Sequence, residues 1–249
     1  MRKPFQGVVN IVRFNWHLYL IAFSLILALF FIAGYFDTSI QSVIYVFCFL
    51  IFATTFTSLL ASFYVYDVSK LYDLEWIDRN NAERVILNIN AGFDETSQLL
   101  HEKFDTAELL ALDFYNPKKH TEVSIKRARK AYPQFPNTKQ IETNNLKLEN
   151  DSADKIVVIF SAHEIRNKKE RILFFKELYR IIKPTGQIYV MEHLRDIPNF
   201  LVYNIGCFHF YSKTLWLKTF QEANLTITKE IKPNLFVSAF ILNKNGNSL

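Results

Sequence analysis

The sequence predicts an α/β protein, an open and mostly parallel sheet preceded by two membrane-spanning helices. Three observations predict it. Two long uncharged apolar runs open the chain. The stretch Asp154 to His193, DKIVVIFSAHEIRNKKERILFFKELYRIIKPTGQIYVMEH, reads as buried strand, loop, amphipathic helix, turn and buried strand. A β run ending at Asp113 follows a short Asn- and Gly-containing loop by about the spacing of an adenosine-binding βαβ unit. Strands apolar on both faces belong to a sheet covered by helices, with ligands beyond the carboxyl ends of the strands.

Residues 14–36 and 38–66 contain no Asp, Glu, Lys or Arg. Each run exceeds the length needed for a helix to cross a hydrocarbon core of roughly 30 Å. Arg2, Lys3 and Arg13 flank the first run, Lys70 and Arg79 follow the second, and Asp37-Thr38-Ser39 between them carries no basic residue. By the positive-inside rule both termini and the rest of the chain are cytoplasmic. Trp16, Tyr19, Tyr35, Tyr64 and Tyr66 are expected as interface anchors, with His17 at the cytoplasmic edge. A cleaved signal peptide is disfavoured, because the run is too long for an h-region and a second span follows. The chain divides into a hairpin over 1–66, a linker and packing helix over 67–83 and an α/β domain over 84–249.

Half of the 249 residues are apolar, enough for one core besides the hairpin. The net charge of +5 is scattered, which argues against a nucleic-acid surface. Cys48 and Cys207 lack partners at disulfide or zinc spacing and read as buried small hydrophobes; no metal is expected.

Within the linker, Leu71, Leu74 and Ile77 recur at helical spacing. Arg84 to Ile89 is a strand, Leu99 and Leu100 belong to the next helix, and Leu109 to Leu112 is the second strand, closed by Asp113. His120 to Ala131 is a basic helix whose Lys126, Arg127, Arg129 and Lys130 form either a solvated face or a patch for anionic lipid headgroups. Lys139 to Thr143 is a third strand. Ile156 to Phe160 and Gln187 to Met191 flank a helix carrying Ile172, Phe175, Leu178 and Ile182, stopped by Lys183-Pro184-Thr185-Gly186. An aromatic insertion over Asn199 to Tyr211, a helix over Lys213 to Ala223 and two β runs, Leu225 to Ile231 and Leu235 to Leu242, complete the chain. Asn234 turns the last two into an antiparallel hairpin.

The first loop decides between adenosine cofactors by charge. Asp94 and Glu95 would oppose a pyrophosphate at the helix N-terminus, but suit the ammonium and sulfonium of S-adenosylmethionine. Asp94 has a second, structural use as a helix cap. The segments ILNINAGFDET, ALDFYNP, SADKIVVIFSAHEI and ELYRIIKPTGQIYVMEH together resemble the motifs of class I S-adenosylmethionine-dependent methyltransferases. The resemblance runs from about Arg84 to Leu242 and implies a Rossmann-like, seven-stranded methyltransferase sheet with an antiparallel last strand. It also implies S-adenosyl-L-methionine as cofactor. Carried over by position, Asn90 and Gly92 line its methionine and ribose, Asp113 holds the ribose and Phe114 flanks the adenine. Asn88, Asp94 and Ser161 complete the cofactor set. Asn88 stands where the family usually has an acidic residue, and Asp94 where it has a third glycine.

Methyl transfer from a sulfonium is an in-line displacement that needs an aligned nucleophile and, for a hydroxyl, a base. His163, just past the fourth strand, is the first candidate base, with Glu164 beside it. Glu192 and His193 after the fifth strand are the second pair, and His209 reads as a packed aromatic neighbour. His163-Glu164 begins a zinc-protease HExxH without its second histidine, and Tyr179 with Lys183 has dehydrogenase spacing without the dinucleotide glycines. The apolar segment Pro198 to Tyr211 and the hairpin together imply a lipophilic acceptor from the membrane: a quinone, phenolic lipid, polyene, fatty acyl or isoprenoid compound. The rival expectation is a catalytically inactive membrane scaffold that keeps the fold, motivated by Asn88 and Asp94.

Overall fold

The computed structural model describes residues 2–120 and 122–244. Helix α1 spans Gln6–Ala33 and α2 spans Thr38–Phe63, joined by a tight turn. Asp37 caps α2 by accepting from the Ser39 N–H at 2.9 Å and the Ile40 N–H at 3.2 Å. Most side chains of both helices are exposed and apolar, including Ile21, Phe31 and Phe49. Both helices are long and apolar enough to cross a membrane. The opposite end of the pair is locked electrostatically. Asp67, in the π-helical turn Tyr64–Val68, accepts from the Gly7 and Val8 N–H groups, each at 2.8 Å, and so caps α1 from outside it.

The α/β domain comprises β1 (Val85–Asn90), α3 (Ser97–Lys103), β2 (Glu108–Asp113), α4 (Val123–Ala131), β3 (Lys139–Gln140), β4 (Ala153–Ile159) and α5 (Lys168–Ile181). It continues through β5 (Ile182–His193), α6 (Ile197–Tyr203), α7 (Lys213–Glu222), β6 (Leu225–Asn234) and β7 (Val237–Lys244). The seven strands are ordered β3-β2-β1-β4-β5-β7-β6. β1 to β5 are parallel, and β7 runs antiparallel to both its neighbours. The expected seven-stranded sheet with a reversed last strand is therefore present.

Alternation along the strands assigns the two faces. Leu87, Ile89, Ile156, Val158 and Val190 pack with Phe174, Phe175 and Trp216 of α5 and α7. Ile86, Val157, Tyr189 and Met191 form the other core with Leu71, Leu74, Trp76 and Ile77. The linker thus packs on the domain as expected, but not as a helix. Only Leu71–Asp73 forms a 3-10 turn, because Lys70 and Leu74 lie at φ of 55°. Two successive turns, closed by the Asp73 N–H on the Lys70 carbonyl and the Ile77 N–H on the Leu74 carbonyl, each at 3.0 Å, spread its apolar residues over the sheet face.

Other boundaries differ locally. α4 begins at Val123 instead of His120, and the third strand keeps only Lys139 and Gln140. Lys183 to Gly186 lie inside β5, where a Cβ at Gly186 would come within 2.8 Å of the Asp154 carbonyl oxygen. The turn between β6 and β7 uses Asn234, whose Oδ1 accepts from the Phe236 N–H at 2.9 Å. Cys48 and Cys207 are free and buried, as expected.

Asp154 joins three segments at the base of the sheet. Its Oδ2 accepts from the Arg84 and Val85 N–H groups, each at 2.9 Å, and its Oδ1 from the Lys183 ammonium at 2.7 Å. Burial raises its carboxyl, but the Lys183 hydrogen bond and the two N–H groups outweigh it and hold the group below the usual carboxylate range. Stability from such a group is present above the unfolded carboxyl value of about 3.9 and is lost as pH falls through the lower folded value. Asp154→Ala is expected to cost about 1–3 kcal/mol at pH 7. Denaturation in detergent should show the gap to the parent protein closing below about pH 4.

Candidate active site

The loop after β1 turns on Asn90 and Gly92. The Asn90 Oδ1 accepts from the Gly92 N–H at 2.9 Å, and Gly92 sits at φ of 98°, which favours glycine. Asn88 points into the start of α3, donating to Thr96 Oγ1 at 3.0 Å and Ser97 Oγ at 2.8 Å. Asp94 serves the structural use open to it: its Oδ1 accepts from the Thr96 N–H at 3.0 Å and the Ser97 N–H at 2.9 Å. Two buried polar atoms in this loop have no hydrogen-bond partner among the described residues, Asn90 Nδ2 and Asp94 Oδ2. One donor and one acceptor, both desolvated, fit a ligand carrying a carboxylate and an ammonium.

Asp113, fully buried at the end of β2, is already engaged. Its Oδ2 pairs with Arg129 of α4 and accepts from Gln134 Nε2 at 2.7 Å, while its Oδ1 accepts from the Tyr115 N–H at 2.7 Å. The guanidinium also stacks on Tyr115, 4.5 Å from the ring centroid. A Cβ at Gly92 would meet Arg129 Nη1 at 2.8 Å, so glycine is required there for the side chain to pass. Phe114 is 2% exposed and packs against Phe174 with ring centroids 5.6 Å apart, so only its edge borders the cavity beside Tyr115. Ser161 donates to the Ile89 carbonyl at 3.0 Å, tying the ends of β4 and β1 together. Its hydroxyl is used by the backbone.

Beyond β4 and β5 lies a cluster of imidazoles and carboxylates. His163 Nδ1 is 2.6 Å from Glu192 Oε2, and its Nε2 is 3.3 Å from Glu164 Oε1. Burial lowers the His163 imidazole, but the Glu192 charge and hydrogen bonds to Glu164 and Glu192 outweigh it and push the group up to about 10. His163 is therefore an imidazolium at neutral pH, not the free base expected from its ordinary value. Burial raises Glu164, but hydrogen bonds from His163 and His209 hold it well below the carboxylate range.

His193 is arranged oppositely. Its ring is stacked between Phe160 and Phe210 at centroid distances of 5.1 and 4.8 Å. Burial pushes it down to about 4 against its hydrogen bonds to the Asn199 amide oxygen and the Phe236 carbonyl, which leaves it neutral. A carbonyl only accepts, so Nδ1–H donates to Phe236 at 3.0 Å and Nε2 accepts from the Tyr66 hydroxyl at 2.8 Å. His193 faces Tyr66, and Tyr66 faces the cavity.

That cavity measures about 510 Å³ and is walled by both parts of the chain. The strand ends contribute Asn90, Phe160, His163 and Glu164, and the hairpin contributes Ile11, Phe14, Leu18 and Tyr19 of α1 and Ser62 of α2. A second cavity of about 870 Å³ lies across α4, with Arg129, Tyr115 and His120 in its wall. Arg127 donates to the Phe14 carbonyl at 2.6 Å and contacts His17 Nδ1 at 2.8 Å. With Arg129 on Asp113, only Lys126 and Lys130 of the basic helix remain exposed.

Glu95 does not face a cofactor charge as the loop's acidity implied. It accepts from Gln6 Nε2 and Asn10 Nδ2, each at 3.2 Å, and from the Tyr72 hydroxyl at 3.1 Å, and pairs with Arg2 at 3.0 Å. Sequence reasoning missed Glu95 as a clamp, Tyr66 as a cavity residue, Arg129 as the partner of Asp113 and His209 as a member of the cluster. Amide side chains at positions 6 and 10, at the charged start of an otherwise apolar helix, were the available signal for the clamp.

The profile of the ubiE/COQ5 methyltransferase family matches residues 58–217. None of the curated proteins matches the chain. Among solved structures the chain is similar to the mitomycin 7-O-methyltransferase MmcR, at 10% identity and TM-score 0.54 over 98% of this chain and 74% of that one. It is similar to human N-acetylserotonin methyltransferase in complex with SAM, at 14% identity and TM-score 0.53, over 77% of this chain and 55% of that one. A SAM-dependent methyltransferase from Methanosarcina mazei matches at 17% identity and TM-score 0.50, over 70% of this chain and 98% of that one. The chain belongs to the ubiE/COQ5 methyltransferase family and is an S-adenosylmethionine-dependent methyltransferase.

The position of Arg129 predicts an effect on the cofactor. Replacing its charge-assisted hydrogen bond to Asp113 costs a ribose part of its binding energy, so Arg129→Ala is expected to tighten S-adenosylmethionine binding by about tenfold. Asp113→Ala should abolish the binding seen by calorimetry. Unchanged affinity in both variants would remove Asp113 from the site.

Proposed function

We propose that this chain is a membrane-anchored methyltransferase whose acceptor is a lipophilic small molecule methylated at oxygen or carbon. Quinones, phenolic lipids, polyenes and fatty acyl compounds are the classes that fit. One observation carries the proposal: the cavity at the strand ends is walled on its other side by the hairpin itself. Leu18 and Tyr19 line it from the beginning of the uncharged run of α1, and neighbouring side chains of that helix face outward. An acceptor dissolved in the bilayer would reach the strand ends between α1 and α2 without crossing water. In this arrangement the hairpin spans the membrane with both termini and the catalytic domain in the cytoplasm, the orientation that the basic residues around it favour.

S-adenosylmethionine supplies an electrophilic methyl group on a sulfonium. The unpartnered Asn90 Nδ2 and Asp94 Oδ2 match its carboxylate and ammonium, and Gly92 permits a close backbone approach. Asp113 would hold the ribose once Arg129 withdraws. Asn88 and Ser161 would support this set from behind, through α3 and the β1 carbonyl. Glu164 would face the acceptor and orient it, His163 would hold a hydroxyl acceptor as its oxyanion after the proton has passed to water, and His193 would act through Tyr66. Alignment is the main requirement of an in-line displacement, and a tight aromatic wall meets it.

Labelled methyl transfer from S-adenosylmethionine to a membrane lipid extract tests the proposal. His163→Ala is expected to lower turnover by about 100-fold or more, and His193→Ala by much less. The reverse order would exchange their roles. Label appearing only on water-soluble acceptors would remove the lipophilic class.

A further inference from the structure

We propose that His163, Glu164 and His209 form a binding site for a divalent transition-metal ion that opens onto the acceptor cavity. Their ligand atoms all lie within 4.8 Å of one another. Glu164 Oε1 stands between the rings, 3.3 Å from His163 Nε2 and 3.7 Å from His209 Nε2. Ligands bound to zinc at about 2.0–2.2 Å in tetrahedral geometry lie about 3.3–3.6 Å from each other. Two edges of the triangle are already close to that spacing.

The surroundings argue more strongly than the triangle. Each histidine turns its other nitrogen to a carboxylate outside the triangle. His163 Nδ1 is 2.6 Å from Glu192, and His209 Nδ1 is 3.2 Å from Glu122. That carboxylate–histidine pairing fixes the ring and points Nε2 at a metal, and it recurs at metal-ligating histidines. Here it occurs twice around one carboxylate. Glu192 is 1% exposed and also accepts from the His163 N–H at 3.2 Å, so its orientation is fixed by the backbone.

His209 is held equally well although it lies in an insertion. Phe210 beside it stacks on His193, and Tyr211 accepts from the Arg195 N–H at 2.9 Å. The sequence motif His163-Glu164 lacks its second histidine in line. The turn after α6 supplies one in space.

Charge favours a cation, and an arriving ion would replace the ring proton that His163 holds between Glu164 and Glu192, which is released to water on binding. Glu164, Glu192 and Glu122 surround the two rings, and Arg166 is the one fixed cation in contact with them among the described residues. Its Nη2 lies 2.7 Å from both nitrogens of the His209 ring, so an arriving ion must displace it. The Arg166 side chain is 41% exposed and is free to withdraw into water. Two imidazoles and one carboxylate suit zinc, cobalt or iron(II) better than magnesium or calcium. Three protein ligands leave coordination positions open, and all three residues line the cavity. Resting on the methyltransferase function proposed above, those positions would take an oxygen of the acceptor.

Full-length protein in detergent, stripped with chelator and dialysed against Co²⁺ and separately against Zn²⁺, tests the site by visible d–d absorption and elemental analysis. One bound ion per chain is expected. His209→Ala and Glu164→Gln should lose it, and Glu192→Gln should weaken Co²⁺ binding by about 10- to 100-fold. Arg166→Ala should strengthen it. His101→Ala, an exposed imidazole on α3, should bind as the parent does. Ion binding unaffected by His209→Ala and Glu164→Gln, or no ion bound by the parent, would overturn the proposal. S-adenosylmethionine binding on the same variants separates the outcomes. Loss of the ion with cofactor binding retained supports the site in a folded protein. An ion bound without methyl transfer to any acceptor would keep the site and remove only its assignment to the acceptor oxygen.

Discussion

Two carboxylates hold the apolar hairpin closed and against the sheet, and the shape of the cavity follows from them. Asp67 closes the base of the hairpin by capping α1, and Glu95 carries the amides of α1, the Arg2 guanidinium and the Tyr72 hydroxyl to the loop after β1. Both lie where an apolar helix pair meets a protein surface, so an unpaired charge would be expensive. Asp67 is satisfied by the first turn of α1, and Glu95 by Arg2, two amides of the same segment and Tyr72. Gly7 makes the approach possible, since a Cβ there would sit 2.3 Å from the Tyr66 Cβ. The hairpin is therefore part of the wall of the cavity at the strand ends.

This docking also reassigns α4. A basic amphipathic helix next to a membrane invites a surface role, yet Arg127 and Arg129 point inward, one to α1 and one to Asp113. Arg129 supplies the charge that Asp113 needs while buried, and does so across the position a ribose would take. Helix, cofactor loop and hairpin are thereby coupled through side chains that each have two possible partners. Arg129 holds Asp113 and stacks on Tyr115 at once, and Arg127 holds α4 to Phe14 on its far side.

The sheet was legible because its signals are local. A β-branched run, a helix with apolar residues at matched spacing and a Gly186 that must clear a carbonyl define the crossover, and parallel order follows from connection length. The Asn90–Gly92 turn was legible because backbone geometry after a first strand restricts residue type, and Asp113 was legible as the residue that closes β2. Side-chain roles were not. Asn88 and Ser161 were assigned to a cofactor from their positions but spend their hydrogen bonds on α3 and β1. The free-base expectation for His163 used an ordinary imidazole and no knowledge of which carboxylates would surround it. His209 was illegible because its neighbours in sequence are aromatic, while its neighbours in space are His163, Glu164 and Glu122.

A polar cluster at the end of an apolar cavity imposes an order on what the site can accept. Phe14, Leu18 and Phe160 offer no hydrogen bond to the body of an acceptor, so along them its recognition is by shape and burial. His163 and Glu164 sit at the strand ends, where an acceptor's polar atom would find its partners. An acceptor with a long apolar body and one polar end satisfies both demands, with the body left between the helices and the polar end delivered to the cluster. An entirely apolar molecule would leave the cluster's charges desolvated without a partner, and a small polar one would leave the hairpin wall wet.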